Sequence, residues 1–172
     1  MQSVEIQEFK SQILLRMQEN PPRILQCLGE LTEDEVWKRP NENSNSVGNL
    51  ILHLCGNIRQ YGIASLGHQP DHRVRDAEFE ARGGFSKDEL QKRLETTVSE
   101  AFEVIRSTTD EEMMRVRTVQ GFQMSGIGIC VHICEHLSYH TGQIAFWTKL
   151  LRNKDLAFYG GINLNVTGNL TS

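Results

Sequence analysis

Apolar residues recur along most of this chain at the three- and four-residue spacing of an amphipathic helix. The first stripe covers residues 3–29, where Pro21-Pro22 is expected to kink or break the helix because proline removes a helical hydrogen bond. Three further stripes predict long helices over about 47–66, 86–107 and 125–151. The pattern predicts helices throughout and no convincing set of strands, which indicates an all-α bundle.

Helix starts are marked by two capping boxes, in which a Ser or Thr is followed three residues later by Glu. Thr32 and Glu35 open a short helix that is predicted to end near Arg39-Pro40. Ser86 and Glu89 open the third long helix. The boxes therefore fix two of the predicted helix boundaries.

The predicted connections are long and polar. Residues 41–46 form an Asn- and Ser-rich loop, and residues 67–85, with several glycines and many charges, predict an irregular loop. Residues 108–124 end in a segment expected to be a short hairpin or loop.

The chain has 172 residues, 38% of them hydrophobic, which suggests one domain with one sizeable core. We expect this domain to span residues 1–152. The tail, residues 153–172, is rich in Gly and Asn and is expected to be ordered only in part.

The formal net charge of −4 argues against a nucleic-acid partner. No apolar run approaches the ~20 residues that a membrane span needs, so no membrane association is expected. The N-terminal residues lack a charged start followed by an apolar stretch, which leaves the cytoplasm as the expected location. The cysteines are expected to be reduced and buried; they are Cys27, Cys55, Cys130 and Cys134.

The strongest chemical feature is a ladder of histidines in the last helix, at His132, His136 and His140. Residues four apart share a helix face, and imidazole is a common ligand of transition metals. Residues eight apart are separated by about 12 Å along the axis, so one ion cannot bind all three histidines. Spacing alone leaves open whether the pair is His132 with His136 or His136 with His140. Cys130 and Cys134 point away from this row.

A third ligand must come from another helix, and His53 is the leading candidate because it lies among apolar residues in the middle of the second long helix. His68 and His72 lie in the charged loop and are expected to be solvated. Three histidines with an open position suit a catalytic divalent ion such as zinc, although nickel, iron or manganese would also fit.

One alternative uses the same helix differently. The segment from His132 to His136, with Glu135 between them, matches the HxxEH pattern of inverted zinc peptidases, whose glutamate is the general base. That pattern is short, and such peptidases are much larger than this chain.

Three segments resemble the DinB-like superfamily, and within it a branch of small uncharacterised bacterial proteins. They are residues 45–57, residues 71–79 and the His132-x3-His136-x3-His140-Thr-Gly-Gln143 segment, and the resemblance extends over about residues 5–160. It implies a four-helix bundle of up-down-down-up type with long connecting loops, commonly homodimeric. It also implies a divalent metal held by His53, His136 and His140.

The resemblance further implies an activity. Characterised members include thiol-dependent transferases that use mycothiol or bacillithiol, in which the metal is thought to bind the sulfur of the thiol. We therefore expect a metal-dependent thiol S-transferase that acts on a small electrophile. The alternatives are a metal-dependent hydrolase of a small substrate and a non-enzymatic metal-binding stress-response protein. No catalytic or substrate-binding residue is assigned.

Polar residues near the expected ligands are candidates for orienting them by hydrogen bonding; they are His132, Asn49, Asn57, Glu135 and Gln143. Arg59, Arg73 and Arg75 could bind an anionic substrate. We favour salt bridges to nearby acidic residues of the 71–80 segment for these arginines.

Overall fold

The computed structural model describes residues 3–167, which form eight α-helices, one π-helical segment and one β-hairpin. The helices are α1 (Val4–Gln18), α2 (Asn20–Glu30), α3 (Glu33–Trp37), α4 (Val47–Ile58), α5 (Arg75–Glu80), α6 (Lys87–Ser107), α7 (Asp110–Met114) and α8 (Gly126–Arg152). The π-helical segment Arg59–Leu66 continues α4, and the strands are β1 (Arg117–Val119) and β2 (Phe122–Met124). The all-α prediction is confirmed.

Four helical rods form the bundle: α1 with α2, α4 with its π-helical extension, α6, and α8. The first rod is interrupted at Glu19, and Pro21 and Pro22 lie in the first turn of α2. Proline is tolerated there because the first amides of a helix have no partner within it. The predicted break is therefore confirmed.

Long-range hydrogen bonds give the relative directions of the first and third rods. Lys10, in α1, donates to the carbonyl of Thr108 just beyond the end of α6. Lys87, at the start of α6, donates to the carbonyl of Leu31 just beyond α2. The start of each rod thus meets the end of the other, so the two are antiparallel.

The second rod runs parallel to α6. Arg59 pairs with Glu100, and Gly67, at the end of the π-helical segment, lies against Val104. Its contacts with α8 run in the opposite sense, since Asn57 contacts His132 while the earlier residue of α4, His53, contacts His136. The four rods therefore run up, down, down and up, as expected.

Local capping fixes the start of α4. The Ser46 hydroxyl accepts a hydrogen bond from the Asn49 amide, and the Asn49 side chain accepts one from the Ser46 amide. This capping box stabilises the first turn, which otherwise has unpaired amides. The boxes predicted at Thr32 and Ser86 are also present.

The second connection differs from the sequence prediction. Residues 67–85 were expected to be irregular, but they contain α5 (Arg75–Glu80). This helix has no side-chain cap at Val74, so the usual sequence signal for a helix start is missing. The first residue of the helix, Arg75, stacks over Phe79 at its far end.

The remaining segments carry less of the site. Residues 108–125 hold α7 and the hairpin, whose strands pair Arg117 with Met124 and Val119 with Phe122. In the tail, Leu156 is buried on the core. The predicted partial order of residues 153–172 falls partly on 168–172, outside the described residues, and the domain boundary at residue 152 stays a prediction.

The cysteines and the hydrophobicity of the helices were also predicted from the sequence. Three of the cysteines are buried and Cys134 is half-buried, and all four are free thiols. Within residues 3–167, no helix is both long and apolar enough to cross a membrane.

Candidate metal centre

The centre of the bundle brings together His53 from α4 with His136 and His140 from α8. One ring nitrogen from each histidine lies within 4.8 Å of the corresponding nitrogens of the other two. The Nε2 atoms of His53 and His136 are 2.9 Å apart. His53 and His140 are buried and His136 is half-buried. The structure therefore gathers the three residues that the resemblance selected.

His53 is held by a carboxylate behind it. Its Nδ1 lies 3.0 Å from Oε2 of Glu78, which comes from α5. A carboxylate at Nδ1 keeps the proton on that nitrogen and leaves the Nε2 lone pair facing the other histidines. Histidine ligands of metals commonly have such a partner, which fixes both the tautomer and the ring orientation.

Arg73 completes this arrangement. Its Nε and Nη2 atoms donate to the two carboxylate oxygens of Glu78 at 2.8 and 2.9 Å, and its Nη1 donates to Gln60. The side chains of Arg73 and Glu78 are only 4% and 10% exposed. Burial raises the pKa of Glu78, but the hydrogen bonds from Arg73 and His53 outweigh it and hold that pKa below its usual range. Glu78 is therefore a carboxylate.

A glycine makes room for this carboxylate. A Cβ at Gly56 of α4 would lie 1.8 Å from Oε1 of Glu78 and 2.9 Å from Nε of Arg73. Only glycine lets the ion pair rest directly on the helix backbone at this point. Gly56 comes three residues after His53, so the same turn of α4 carries both the imidazole and the space for its partner.

The rings of His136 and His140 are also neutral, which leaves each of them able to donate a lone pair. Nδ1 of His140 is 2.7 Å from Oε1 of Gln143, so it carries the proton and its Nε2 lone pair is free. Burial, with the neighbouring rings of His140 and His53, lowers the pKa of His136 to about 3. Burial also lowers the pKa of His140. Neutral imidazole is the form that binds metals.

His132 lies beside the triad but does not belong to it. Its Nε2 is 3.1 Å from Nδ2 of Asn57, and its ring packs on Tyr61 with centroids 4.2 Å apart. It stacks on His136 at a centroid distance of 5.4 Å. Burial lowers its pKa. The side-chain Oδ1 of Asn57 is buried and has no hydrogen-bond partner among the described residues.

Two of the other polar candidates lie elsewhere. Asn49 was a candidate for orienting the ligands, but its Nδ2 donates to the backbone carbonyls of Glu78 and Ala81. It thereby ties the segment bearing Glu78 to α4. Glu135 is exposed on α8. Of the HxxEH residues, only His136 contributes to the cluster.

Among the described residues, only one of the three arginines forms the salt bridge expected of it, whereas both loop histidines are exposed as expected. Arg73 pairs with Glu78 as predicted, whereas Arg59 pairs with Glu100 of α6 instead of the 71–80 segment. His68 is exposed and contacts Glu112, and His72 is exposed.

Glu78 has a role that the sequence pattern did not indicate. It entered only as one of several salt-bridge partners, because its contact with His53 spans 25 residues and depends on the position of α5. Gly56 was missed as well, since a lone glycine in a helix is compatible with many environments.

The buried neutral histidines predict a pH-dependent stability for the metal-free protein. A group whose pKa is lower in the folded state binds its proton in the unfolded chain first, so stability falls as the pH drops. For His136 the window extends from about 6.5, the ordinary value, down to about 3. Within this window we expect His136 to contribute a loss of about 1.4 kcal/mol of stability per pH unit.

Urea unfolding at several pH values in this window, with a chelator present, would measure this slope. His136→Gln should give a shallower slope, and His72→Gln, at an exposed site, should not change it. A free energy of unfolding that stays constant between pH 7 and pH 4 would contradict the prediction.

Comparison with known proteins agrees with this architecture. The chain resembles the crystal structure of a DinB-like protein, YjoA, from Bacillus subtilis, with a TM-score of 0.66 and 16% identity over 86% of this chain and 96% of that one. A DinB-like protein from Bacillus cereus gives a TM-score of 0.66 and 13% identity over 81% and 90% of the two chains. At these identities the likeness establishes the fold alone, which is the helical fold of these two DinB-like proteins.

Residues 6–160 match the family described as proteins of unknown function, DUF1572, and the chain belongs to that family. No curated protein matches it.

Proposed function

We propose that the protein binds one divalent metal ion through His53, His136 and His140, and that it is a metal-dependent thiol S-transferase acting on a small electrophile. The observation that carries the metal proposal is the cluster of three ring nitrogens within 4.8 Å of one another. Thiol transfer is supported by the resemblance to the DinB-like superfamily.

The donor set fits a borderline metal ion. Three imidazoles leave coordination positions open, which is the arrangement of catalytic sites rather than structural ones. Zinc, nickel, iron and manganese all accept such ligands. A bound divalent ion would supply Lewis acidity that lowers the pKa of a coordinated thiol.

The chain's own residues would set up this chemistry. Glu78 keeps His53 in one tautomer, and Gln143 does the same for His140. The aromatic ring of Phe79 packs on His53 at a centroid distance of 4.6 Å and limits the access of water from that side. In the proposed reaction the thiol releases its proton to solvent and its sulfur forms a bond to the electrophilic carbon. The bond from that carbon to the leaving group breaks, and the leaving group departs with the electron pair, as halide does from an alkyl halide.

The activity can be tested on protein loaded in turn with each candidate metal. We expect conjugation of bacillithiol or mycothiol to at least one of a panel of alkyl and aryl halides, with no reaction after chelation. Loss of activity in His53→Ala, together with retention in His68→Ala, would tie the reaction to the cluster. Absence of conjugation across thiols, metals and electrophiles would reject the transferase.

The same preparations separate the alternatives. Turnover of ester or amide substrates without any thiol would support a metal-dependent hydrolase. A tightly bound ion with no exchangeable water, measured by relaxation of solvent protons in the manganese-loaded protein, would support a non-enzymatic metal-binding role.

We also propose that the protein is a homodimer, as the resemblance implies. Tyr139, Phe146 and Leu150 of α8 are 62%, 70% and 63% exposed. Their spacing of seven and four residues places them on one helix face, and clustered apolar side chains on a surface favour an interface. Light scattering should give twice the chain mass, and Phe146→Glu with Leu150→Glu should give the monomer. A wild-type monomer at high concentration would refute this proposal.

A further inference from the structure

A cavity of about 740 Å³ lies against α4, on a side of this helix next to the one that contacts α8. Its walls are α4, the segment 70–78 and α6. Volumes of about 300–1,000 Å³ are typical of sites for small molecules. The described residues thus include a second concave site, next to the histidine cluster but separate from it.

Two faces of α4 serve the two sites. His53 points towards α8, whereas Leu52, Cys55 and Gly56 line the cavity. Leu52 and Gly56 are four residues apart and share the side of the helix that lines the cavity. His53 and Asn57, also four residues apart, share an adjacent side that contacts α8. Glu78 closes the end of the cavity and also contacts His53. One buried ion pair therefore separates the cavity from the cluster.

Much of the cavity surface is apolar. Leu52 and Cys55 of α4 are buried beneath it, and Val74 and Ala77 face it from the α5 segment. Val74 is 67% exposed although it lines a concave surface. Exposed apolar side chains that converge in a cavity are typical of sites that bind the apolar part of a ligand.

The rim of the cavity is positively charged. Lys92 and Arg93 of α6 line it, and within the described part of the chain neither has an acidic partner within ion-pair distance. Arg93 instead stacks over Phe85. The other cations of the lining are neutralised, since Arg73 pairs with Glu78 and Arg59 pairs with Glu100.

The acidic residue on this rim, Glu89, already has hydrogen-bond partners within the chain. Glu89 accepts hydrogen bonds from the amide and hydroxyl of Ser86 as part of the cap of α6. These hydrogen bonds leave Glu89 negatively charged, so Lys92, Arg93 and Glu89 together leave one net positive charge on the rim. An anionic ligand group would supply the partner that Lys92 and Arg93 lack.

We propose that this cavity binds a small amphipathic anion, with its apolar chain between Leu52, Val74 and Ala77 and its acidic group at Lys92 and Arg93. The ligand class is a carboxylic acid, or a similar monoanion, on an aliphatic body. This site is additional to the proposed metal function, and binding there needs no metal.

Octanoate is a suitable probe, with octyltrimethylammonium as the cation of equal chain length. Calorimetry on the full-length protein would give the affinities, and backbone amide shifts would locate the ligand. We expect octanoate to bind and to shift the amides of Val74, Ala77 and Thr96, and the cation to bind at least about 10-fold more weakly. Ala77→Trp should block binding by filling the cavity.

The charge contribution is tested by Lys92→Gln with Arg93→Gln, which should weaken octanoate binding by about 10-fold or more, as expected for two charge-assisted contacts. Arg106→Gln with Lys149→Gln removes the same charge from exposed sites elsewhere and should leave binding unchanged. The proposal would be overturned if both double variants lost octanoate affinity equally, or if octanoate and octyltrimethylammonium bound with equal affinity. Amide shifts centred outside the cavity would also overturn it. Repeating the titration with metal-free protein and with His136→Ala keeps the outcome independent of the metal centre.

Discussion

Replacing His136 with alanine is expected to abolish stoichiometric metal binding. Wild-type protein purified without a histidine tag, or reconstituted, should carry about one equivalent of a divalent ion. The variant should carry almost none, because two imidazoles from different helices bind a metal far more weakly than three. The three ring centroids form a nearly equilateral triangle, with 4.9 Å between His53 and His136, 4.4 Å between His136 and His140 and 5.0 Å between His53 and His140. Elemental analysis after dialysis measures the loss directly, and His53→Ala should behave in the same way.

Two controls make this result specific. His68→Ala removes an exposed imidazole that contacts Glu112, and it should leave the metal content unchanged. His132→Ala tests which pair of the ladder binds, because the structure places its Nε2 against Asn57 instead of the cluster. Retention of metal in His132→Ala with loss in His140→Ala would support the proposed ligand set. The opposite result would move the site one turn along α8, and full metal content in His136→Ala would reject it.

The helices and the candidate histidine ligands could be predicted from the sequence, because both depend on local patterns. The capping boxes at Thr32 and Ser86 are set by contacts between residues three apart, and the structure confirms both. The histidine ladder likewise needs only the geometry of one helix. Spacing could not choose between its two pairs, since that choice depends on the position of α4 relative to α8.

The parts that escaped prediction depend on packing between distant segments. α5 forms without a capping side chain, and the Asn49 amide ties it to α4 through the carbonyls of Glu78 and Ala81. That attachment, together with the hydrogen bond from Arg73 to Gln60, holds the segment that brings the Glu78 carboxylate to His53. A sequence pattern shows which residues are charged. It does not show that Arg73 and Glu78 are buried against each other, because that burial depends on contacts in the assembled fold.

Gly56→Ala is expected to disturb the centre without changing any polar residue. The new methyl group would overlap Oε1 of Glu78, which the Arg73 guanidinium and the His53 ring hold in place. Relief requires the ion pair to leave its position, which exposes or unpairs buried charge. We expect a loss of about 3 kcal/mol in the free energy of unfolding. This loss outweighs the gain of up to about 1 kcal/mol that alanine brings to a helix.

The same substitution should weaken metal binding by about 10- to 100-fold, since His53 loses the carboxylate that orients it. Gly29→Ala is the matched control: Gly29 lies in α2, nothing lies within 4 Å of its added Cβ, and stability should rise by about 0.5–1 kcal/mol. Denaturant unfolding of the metal-free variants separates stability from metal affinity, which a competing chelator measures. If Gly56→Ala gained as much stability as Gly29→Ala and kept its metal affinity, the result would contradict the packing of the Glu78 carboxylate against α4. If only the affinity fell, Glu78 would act by orienting His53 and contribute little to holding the bundle together.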